Sequence, residues 1–288
     1  GHSEPVERTL IEALVGAASP AAQGETAAMI IDALMAHETR LRLLQAVSLL
    51  RNPGPEIMRS LEDTAFDGKD AVYASEAAIA LGASVGYLRA DDPRLAQATA
   101  DKMLQRAEAV VSPTLPVPGM PAVPGPNASL AERTNWIGAI GNAGLPESLP
   151  LLTALLGDPE PMIRASAAHS LRFMEPADAL PVMQRAMRED KSITVRHALL
   201  HAARVMGPAL MEDFVTRALM FDRSEHVRLG AAYTIAFWAT KAPGLRRTLA
   251  EALAQEKSAK VRESLRNSLQ PGRTEFPFRR VEDPGSGP

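Results

Sequence analysis

The chain contains no cysteine. That excludes disulfides, thiolate nucleophiles, iron–sulfur clusters and cysteine-based zinc sites, and it leaves the compartment open. Aromatic residues make up 4% of the sequence. Few β-branched or aromatic residues alternate at period two, so strands are not expected. The net charge is −3, which argues against a broad nucleic-acid footprint, since that needs clustered exposed Lys and Arg. No apolar run approaches the roughly 18 residues of a membrane span, so no transmembrane segment is expected. The sequence also lacks a P-loop, a GxGxxG turn and an HExxH helix. It has no GxSxG elbow. No catalytic residue, metal ligand or cofactor site is assigned. The opening "GHSEP" has no charged n-region and no apolar h-region. It reads as an expression remnant joined to a domain boundary, so a native leader is expected to be missing.

What is present points to helices. Ala and Leu are plentiful, and small or unbranched residues favour helices. Apolar residues make up 46% and charged residues 23%, ordinary values for a globular chain. A length of 288 residues suits one large or two ordinary domains.

The main signal is a repeat. Asp158 and Arg164 recur 32 residues later as Asp190 and Arg196, and again as Asp222 and Arg228. A further 34 residues give Glu256 and Arg262. The local texts are "DPEPMIRASAAHSL", "DKSITVRHALLHAA", "DRSEHVRLGAAYTI" and "EKSAKVRESLRNSL". Each has an acid, five residues, then an Arg preceded by Ile or Val. Such a period means stacked supersecondary units. Each repeat reads as two helices. The first helices begin near Pro146, Pro176, Pro208 and Pro243, where proline's missing N–H costs nothing. The second begin around the acid–Arg segment and carry Ile163, Ala167 and Leu171, or Val195, Leu199 and Ala202. One such pair cannot enclose a core, so neighbours must stack. The acid can accept backbone N–H groups at the turn. Arg, with its planar fork of donors, can bridge the acids of its own and a neighbouring repeat. Asp158, Arg164, Asp190, Arg196, Asp222, Arg228, Glu256 and Arg262 therefore read as a structural ladder.

The pattern resembles HEAT repeats in a compact form of about 32 residues. The segment "TNWIGAIGNAGLPESLPLLTALLGD" resembles the helical domain of the large lipid transfer proteins, such as vitellogenin and the large subunit of microsomal triglyceride transfer protein. "EAAIALGASVGYL" (Glu76–Leu88) and "LMFDRSEHVRLGAAYTIAF" resemble other parts of that domain, and the similarity runs from Lys69 to Gln270. The resemblance implies an all-α α-solenoid of stacked antiparallel helix pairs. It also implies lipid binding as one function, and a cell-envelope or secreted location. HEAT-like hydroxylases would need several His-Glu pairs where this chain has His37-Glu38. HEAT-like DNA glycosylases would need a basic concave face.

The organisation follows. Residues 1–111 read as irregular amino-terminal helical repeats, with helices expected at Pro5–Gly16, Glu25–Met35, Glu56–Phe66, Ala71–Leu88 and Pro93–Val111. Arg42 occupies the phase of Arg164, with Ala36 in place of the acid. Residues 112–128 form a Pro-rich loop that cannot be helical. It reads either as a surface crossing or as a strap with Leu115, Val117, Met120 and Val123 as apolar contacts. Residues 129–270 hold the regular repeats in one continuous solenoid. Residues 271–288 form a flexible tail that carries Phe276, Phe278, Arg279 and Arg280.

One row of residues lies away from the buried stripe of the second helices. His169, Arg172, His197, His201, Arg204 and Tyr233 share a helical phase on successive repeats. The row reads as a polar solvated surface, or as a concave groove for a peptide, partner helix or anionic group. His197 and His201, at i and i+4, also have metal-ligand spacing but lack a third ligand. The leading expectation is a non-enzymatic scaffold that binds a protein partner through its concave face, with no nucleic-acid partner. Lipid handling is the alternative, and a HEAT-like enzyme comes third. In limited proteolysis, Ser112–Ala128 should be cut before any helix, because exposed loops are preferred nick sites. Cleavage inside helices first would favour the strap.

Overall fold

The computed structural model describes residues 13, 19–32, 36–67, 70–111 and 128–270. Among them it places fourteen α-helices and no strand. They are α1 (Pro20–Ile31), α2 (His37–Val47), α3 (Pro55–Asp67), α4 (Ala71–Asp91), α5 (Pro93–Val111), α6 (Leu130–Ala143) and α7 (Leu149–Leu155). Then follow α8 (Pro161–Ser170), α9 (Pro176–Glu189), α10 (Ile193–Met206), α11 (Pro208–Phe221), α12 (Glu225–Ala239), α13 (Arg246–Gln255) and α14 (Ala259–Leu269). The fold is an all-α solenoid of helix pairs, as the repeat predicts. The expected helix Pro5–Gly16, apart from residue 13, lies outside the described residues, as do the proline insert up to residue 127 and the tail 271–288.

Local chemistry explains the helix boundaries. Asp70 caps α4 by accepting from the N–H groups of Val72 and Tyr73 at 3.0 and 3.3 Å. Ser129 caps α6 by accepting from Glu132 N at 3.1 Å, the usual task of a short polar side chain at this position. Pro161, Pro176 and Pro208 stand at the first helical position. Pro146 and Pro243 instead open single 3-10 turns that lead into α7 and α13. At α7 a second proline, Pro150, takes the first-turn position that Pro146 was expected to hold.

The described residues fall into two compact units, one ending at Met206 and one beginning at Gly207. Gly207 has φ 90°, a conformation that a side chain would strain. In the first unit α4, α6, α8 and α10 pack side by side, and α5, α7 and α9 pack against them. Leu81, Ile137, Ile140, Leu152, Ile163, Leu171 and Leu199 are fully buried in its core. Each contributes on the order of 1.5–3 kcal/mol of burial. In the second unit α12 packs against α11, α13 and α14, over Met211, Val215, Val227, Ile235, Leu249 and Val261.

Small residues set how closely the second helices of the first unit approach. A Cβ at Gly82 of α4 would lie 2.1 Å from the Ala139 carbonyl oxygen of α6, and one at Gly141 of α6 would lie 2.4 Å from Ser170 of α8. Ser170 Oγ donates to the Ile137 carbonyl at 2.9 Å across the same seam. Helix α4 is 21 residues long with mean hydropathy 1.3, long and apolar enough to cross a membrane. The sequence expectation of no such run is corrected on this point. Half of that stretch is buried inside the protein, including Ala77, Leu81, Gly82 and Val85.

The ladder is present, with a defined direction. Arg164 donates through Nε and Nη2 to both oxygens of Asp190, at 2.7 and 3.2 Å. Its Nη1 donates to the Asp158 and Pro159 carbonyls at 2.9 and 3.1 Å. Arg164 thus takes the carboxylate of the following repeat and the turn carbonyls of its own. Arg228 does the same with Glu256, at 2.8 and 3.0 Å, and with the Asp222 carbonyl at 2.8 Å. Arg196 and Arg262 bind their own turns through the Asp190 and Glu256 carbonyls, each at 3.0 Å. The acids in turn accept the N–H two residues on: Glu160 at Asp158, Ser192 at Asp190, Ser224 at Asp222 and Ser258 at Glu256. Arg133 adds an earlier rung by donating to Asp158 at 2.9 Å. Arg42, in the phase of Arg164, pairs with Glu38 one turn back at 2.6 Å. Ala36 stands in the acid position of this copy.

Burial alone would push the Asp190 carboxyl up. The hydrogen bonds from Arg164 and from Ser192 N, with the charges of Arg164 and Arg196, outweigh it and hold the carboxyl below its ordinary value. The Asp190 side chain is 6% exposed. Arg164→Ala would leave this buried carboxylate and two turn carbonyls without their donor. The expected loss is about 3–5 kcal/mol, the scale for breaking a buried pair from one side, read as a lower urea midpoint. A loss below about 1 kcal/mol, the scale of an exposed pair, would show that the ladder contributes little.

Candidate functional site

The residues of the predicted row divide between the two compact units. The first holds His169 at the end of α8, Arg172 in the 3-10 turn Leu171–Phe173, and His197, His201 and Arg204 along α10. The second holds Tyr233 on α12.

Within the first unit the structure brings several of them together. The His169 and His201 rings stack with centroids 4.6 Å apart and an interplanar angle of 24°. They meet because α8 and α10 pack side by side. The row was expected to lie clear of the buried stripe. Instead His169, Arg172, His201 and Arg204 are half-buried, while His197 is exposed. His169 and His201 point towards the seam between α8 and α10, and the close approach of these two helices half-covers them.

The burial has electrostatic consequences. Desolvation, with the charge of Arg172 and the neighbouring His201, lowers His169 to about 4. Desolvation, with the charges of Arg204, Arg172 and His197, lowers His201 to about 4. Desolvation lowers Arg172 to about 10 and moves Arg204 down as well. His201 Nδ1 is buried and has no hydrogen-bond partner among the described residues. Both stacked imidazoles are therefore neutral at pH 7, and the guanidinium groups carry the positive charge.

Arg172 links this cluster to a cleft. Its Nη1 donates to the His169 carbonyl at 3.1 Å, its Nη2 donates to Asn142 Oδ1, and its Cζ lies 4.7 Å from the centre of the Phe173 ring. Asn142 Nδ2 donates to the Ile79 carbonyl of α4 at 3.3 Å. Gly144 ends α6 with φ 61°, and its carbonyl accepts from Arg89 Nη1. The cleft has a volume of about 430 Å³ and is lined by Ser48, Ile79, Ala83, Gly86, Tyr87 and Arg89, and by Asn142–Gly144, Arg172 and Phe173. Tyr87 is 40% exposed and Phe173 50% exposed. A larger cleft of about 520 Å³ lies beside the ladder turns, but Arg164 and Asp190 in its lining already bind each other.

Sequence reasoning placed Arg172 but missed Tyr87, Arg89, Asn142 and Phe173. Asn142 stands inside the quoted "GNAG" stretch, and its polar side chain amid small residues was the available signal. In the second unit, Phe237 lies one turn beyond Tyr233; they are 46% and 37% exposed. Among the described residues no group of three or more His, Asp or Glu side chains is placed to hold a metal ion. Of the i, i+4 pair His197 and His201, His201 stacks on His169.

Residues 127–204 match the HEAT repeats family. The matched stretch contains the ladder from Arg133 to Arg196 and the whole stacked-histidine cluster. HEAT repeats form helical scaffolds that commonly serve protein interaction. No curated protein matches the chain.

The neutral histidines give a pH test. Their folded values near 4 lie below the ordinary 6.5. Between these values the unfolded chain takes up protons that the folded chain does not. Stability is therefore full above pH 6.5 and falls as pH drops towards 4. Urea melts across this range should show that slope, and His169→Gln with His201→Gln should flatten it. An unchanged slope in the double variant would place the proton uptake elsewhere.

Proposed function

We propose that the chain is a non-enzymatic helical-repeat scaffold that engages a protein partner through the face carrying His169, Arg172, His197, His201 and Arg204, and through the Tyr233 face of α12. The observation that supports this most is the combination of half-buried guanidinium groups with exposed aromatic rings on second helices. Arg and aromatic residues are favoured anchors of protein interfaces, since each joins a large apolar body to hydrogen-bond donors. The match to HEAT repeats supports a scaffold as the setting. The sequence resemblance to the helical domain of lipid transfer proteins supplies the competing reading, in which the same face holds lipid.

Partner capture by the full chain tests the reading. Replacing Arg204 and Tyr233 together by Ala should weaken capture by at least about 2 kcal/mol, the scale of an interface hot spot. The melting temperature should hardly change, because neither side chain is fully buried. Undiminished capture would move the interface to another surface. Phospholipid or neutral lipid extracted in stoichiometric amount from the purified protein would favour the lipid reading.

A further inference from the structure

We infer that the cleft walled by Tyr87, Arg89, Asn142, Gly144, Arg172 and Phe173 binds an acidic–apolar segment of a protein partner, taking one carboxylate against the arginines and the adjacent apolar side chain between the two rings. The inference rests on the reading of this face as partner-binding and names the chemistry of what it takes.

Charge complementarity carries the argument. The cleft lining contains two guanidinium groups and no carboxylate. Neither Arg89 nor Arg172 makes an ion pair with any described residue; each spends its contacts on carbonyl and amide oxygens. A guanidinium has five N–H donors in a planar fork, and two of those on Arg172 are engaged within the described residues. A half-buried cation with donors to spare and no counter-charge is costly, and an incoming carboxylate would offset the desolvation. Charge-assisted hydrogen bonds to such a group are the strong kind.

The remaining lining selects the apolar part. Ile79, Ala83 and Gly86 of α4 offer a surface without charge, and a Cβ at Gly86 would lie 2.8 Å from the Asn142 carbonyl oxygen. Tyr87 and Phe173 present exposed rings on the same lining. The site is also built in advance. Asn142 is held from both ends, by the Ile79 carbonyl and by Arg172, so the Arg172 guanidinium does not need ordering when a ligand arrives. Preorganisation of this kind lowers the cost of binding. The volume of about 430 Å³ falls at the lower end of the range for small-ligand sites, enough for a short stretch of side chains but not for a helix.

The test is a nuclear magnetic resonance titration of the full chain with the blocked peptide acetyl-Gly-Asp-Phe-Gly-amide, beside its Asn counterpart. The Asp peptide should shift the amide signals of Gly86, Asn142, Gly144 and Phe173 together. It should bind about tenfold more tightly than the Asn peptide, as one charge-assisted contact would give. Arg172→Gln should abolish that preference. Because Arg172 also holds Asn142, the exposed replacements Arg89→Gln and Tyr87→Ser provide a check that spares the fold. Each should weaken the Asp peptide severalfold at unchanged melting temperature. Equal binding of the two peptides would overturn the inference, as would shifts scattered over the surface or no shifts at all. Tighter binding of octanoate than of the Asp peptide at these same signals would overturn it in favour of an acyl chain. Peptide binding is read separately from capture of the whole partner. If the Arg204 and Tyr233 replacements weaken capture while the peptide fails, the scaffold reading stands without this inference. If the peptide binds while capture is undiminished by them, the reverse holds.

Discussion

Arg164 and Arg228 each do two things at once. Arg164 reaches forward to both oxygens of Asp190 and back to the carbonyls of its own turn. Asp190 meanwhile accepts the Ser192 N–H that opens the next second helix. A single rung therefore satisfies the turn of one repeat and anchors it to the turn of the following one. Arg228 repeats the arrangement with Glu256, and Arg133 adds a pair with Asp158. The charges pair in partly buried positions, where bidentate geometry and additional hydrogen bonds are what make such a pair tolerable. An acid and an arginine six positions apart thus set the register in which successive helix pairs stack.

Register alone does not bring helices close. Gly82 and Gly141 remove the side chains that would hold α4 from α6 and α6 from α8. Once the helices are close, polar groups near their ends face one another across the seams. Asn142 of α6 reaches the Ile79 carbonyl of α4 and accepts from Arg172, beyond the end of α8. His169 and His201 stack across the seam between α8 and α10. The same tight packing that buries the apolar core strips water from these polar residues, and the lowered basicity of His169, His201 and Arg172 follows from that loss.

The result is a seam where two stacked neutral imidazoles lie beside guanidinium groups. Its side chains are held by helix-to-helix contacts, which fix their positions.

The sequence by itself determined the helix content, the period, the positions of most helix starts and the identity of the ladder residues. These depend on local chemistry: proline at a first turn, an acid three residues before a helix, apolar spacing along one helix. It did not reveal Arg133 as a rung, because Glu132 stands where the other copies carry Ile or Val, and Asn127 replaces the acid. It placed His169, His201 and Arg172 on one phase, yet read that phase as clear of the core. Helical phase gives direction around a helix axis, whereas burial depends on how near the neighbouring helix lies. Between α4, α6 and α8 that distance is set by Gly82, Gly141 and Ser170, residues remote in sequence from one another. Only the tertiary structure could decide that the imidazoles stack, that Asn142 holds Arg172, and that Tyr87, Arg89 and Phe173 line one cleft.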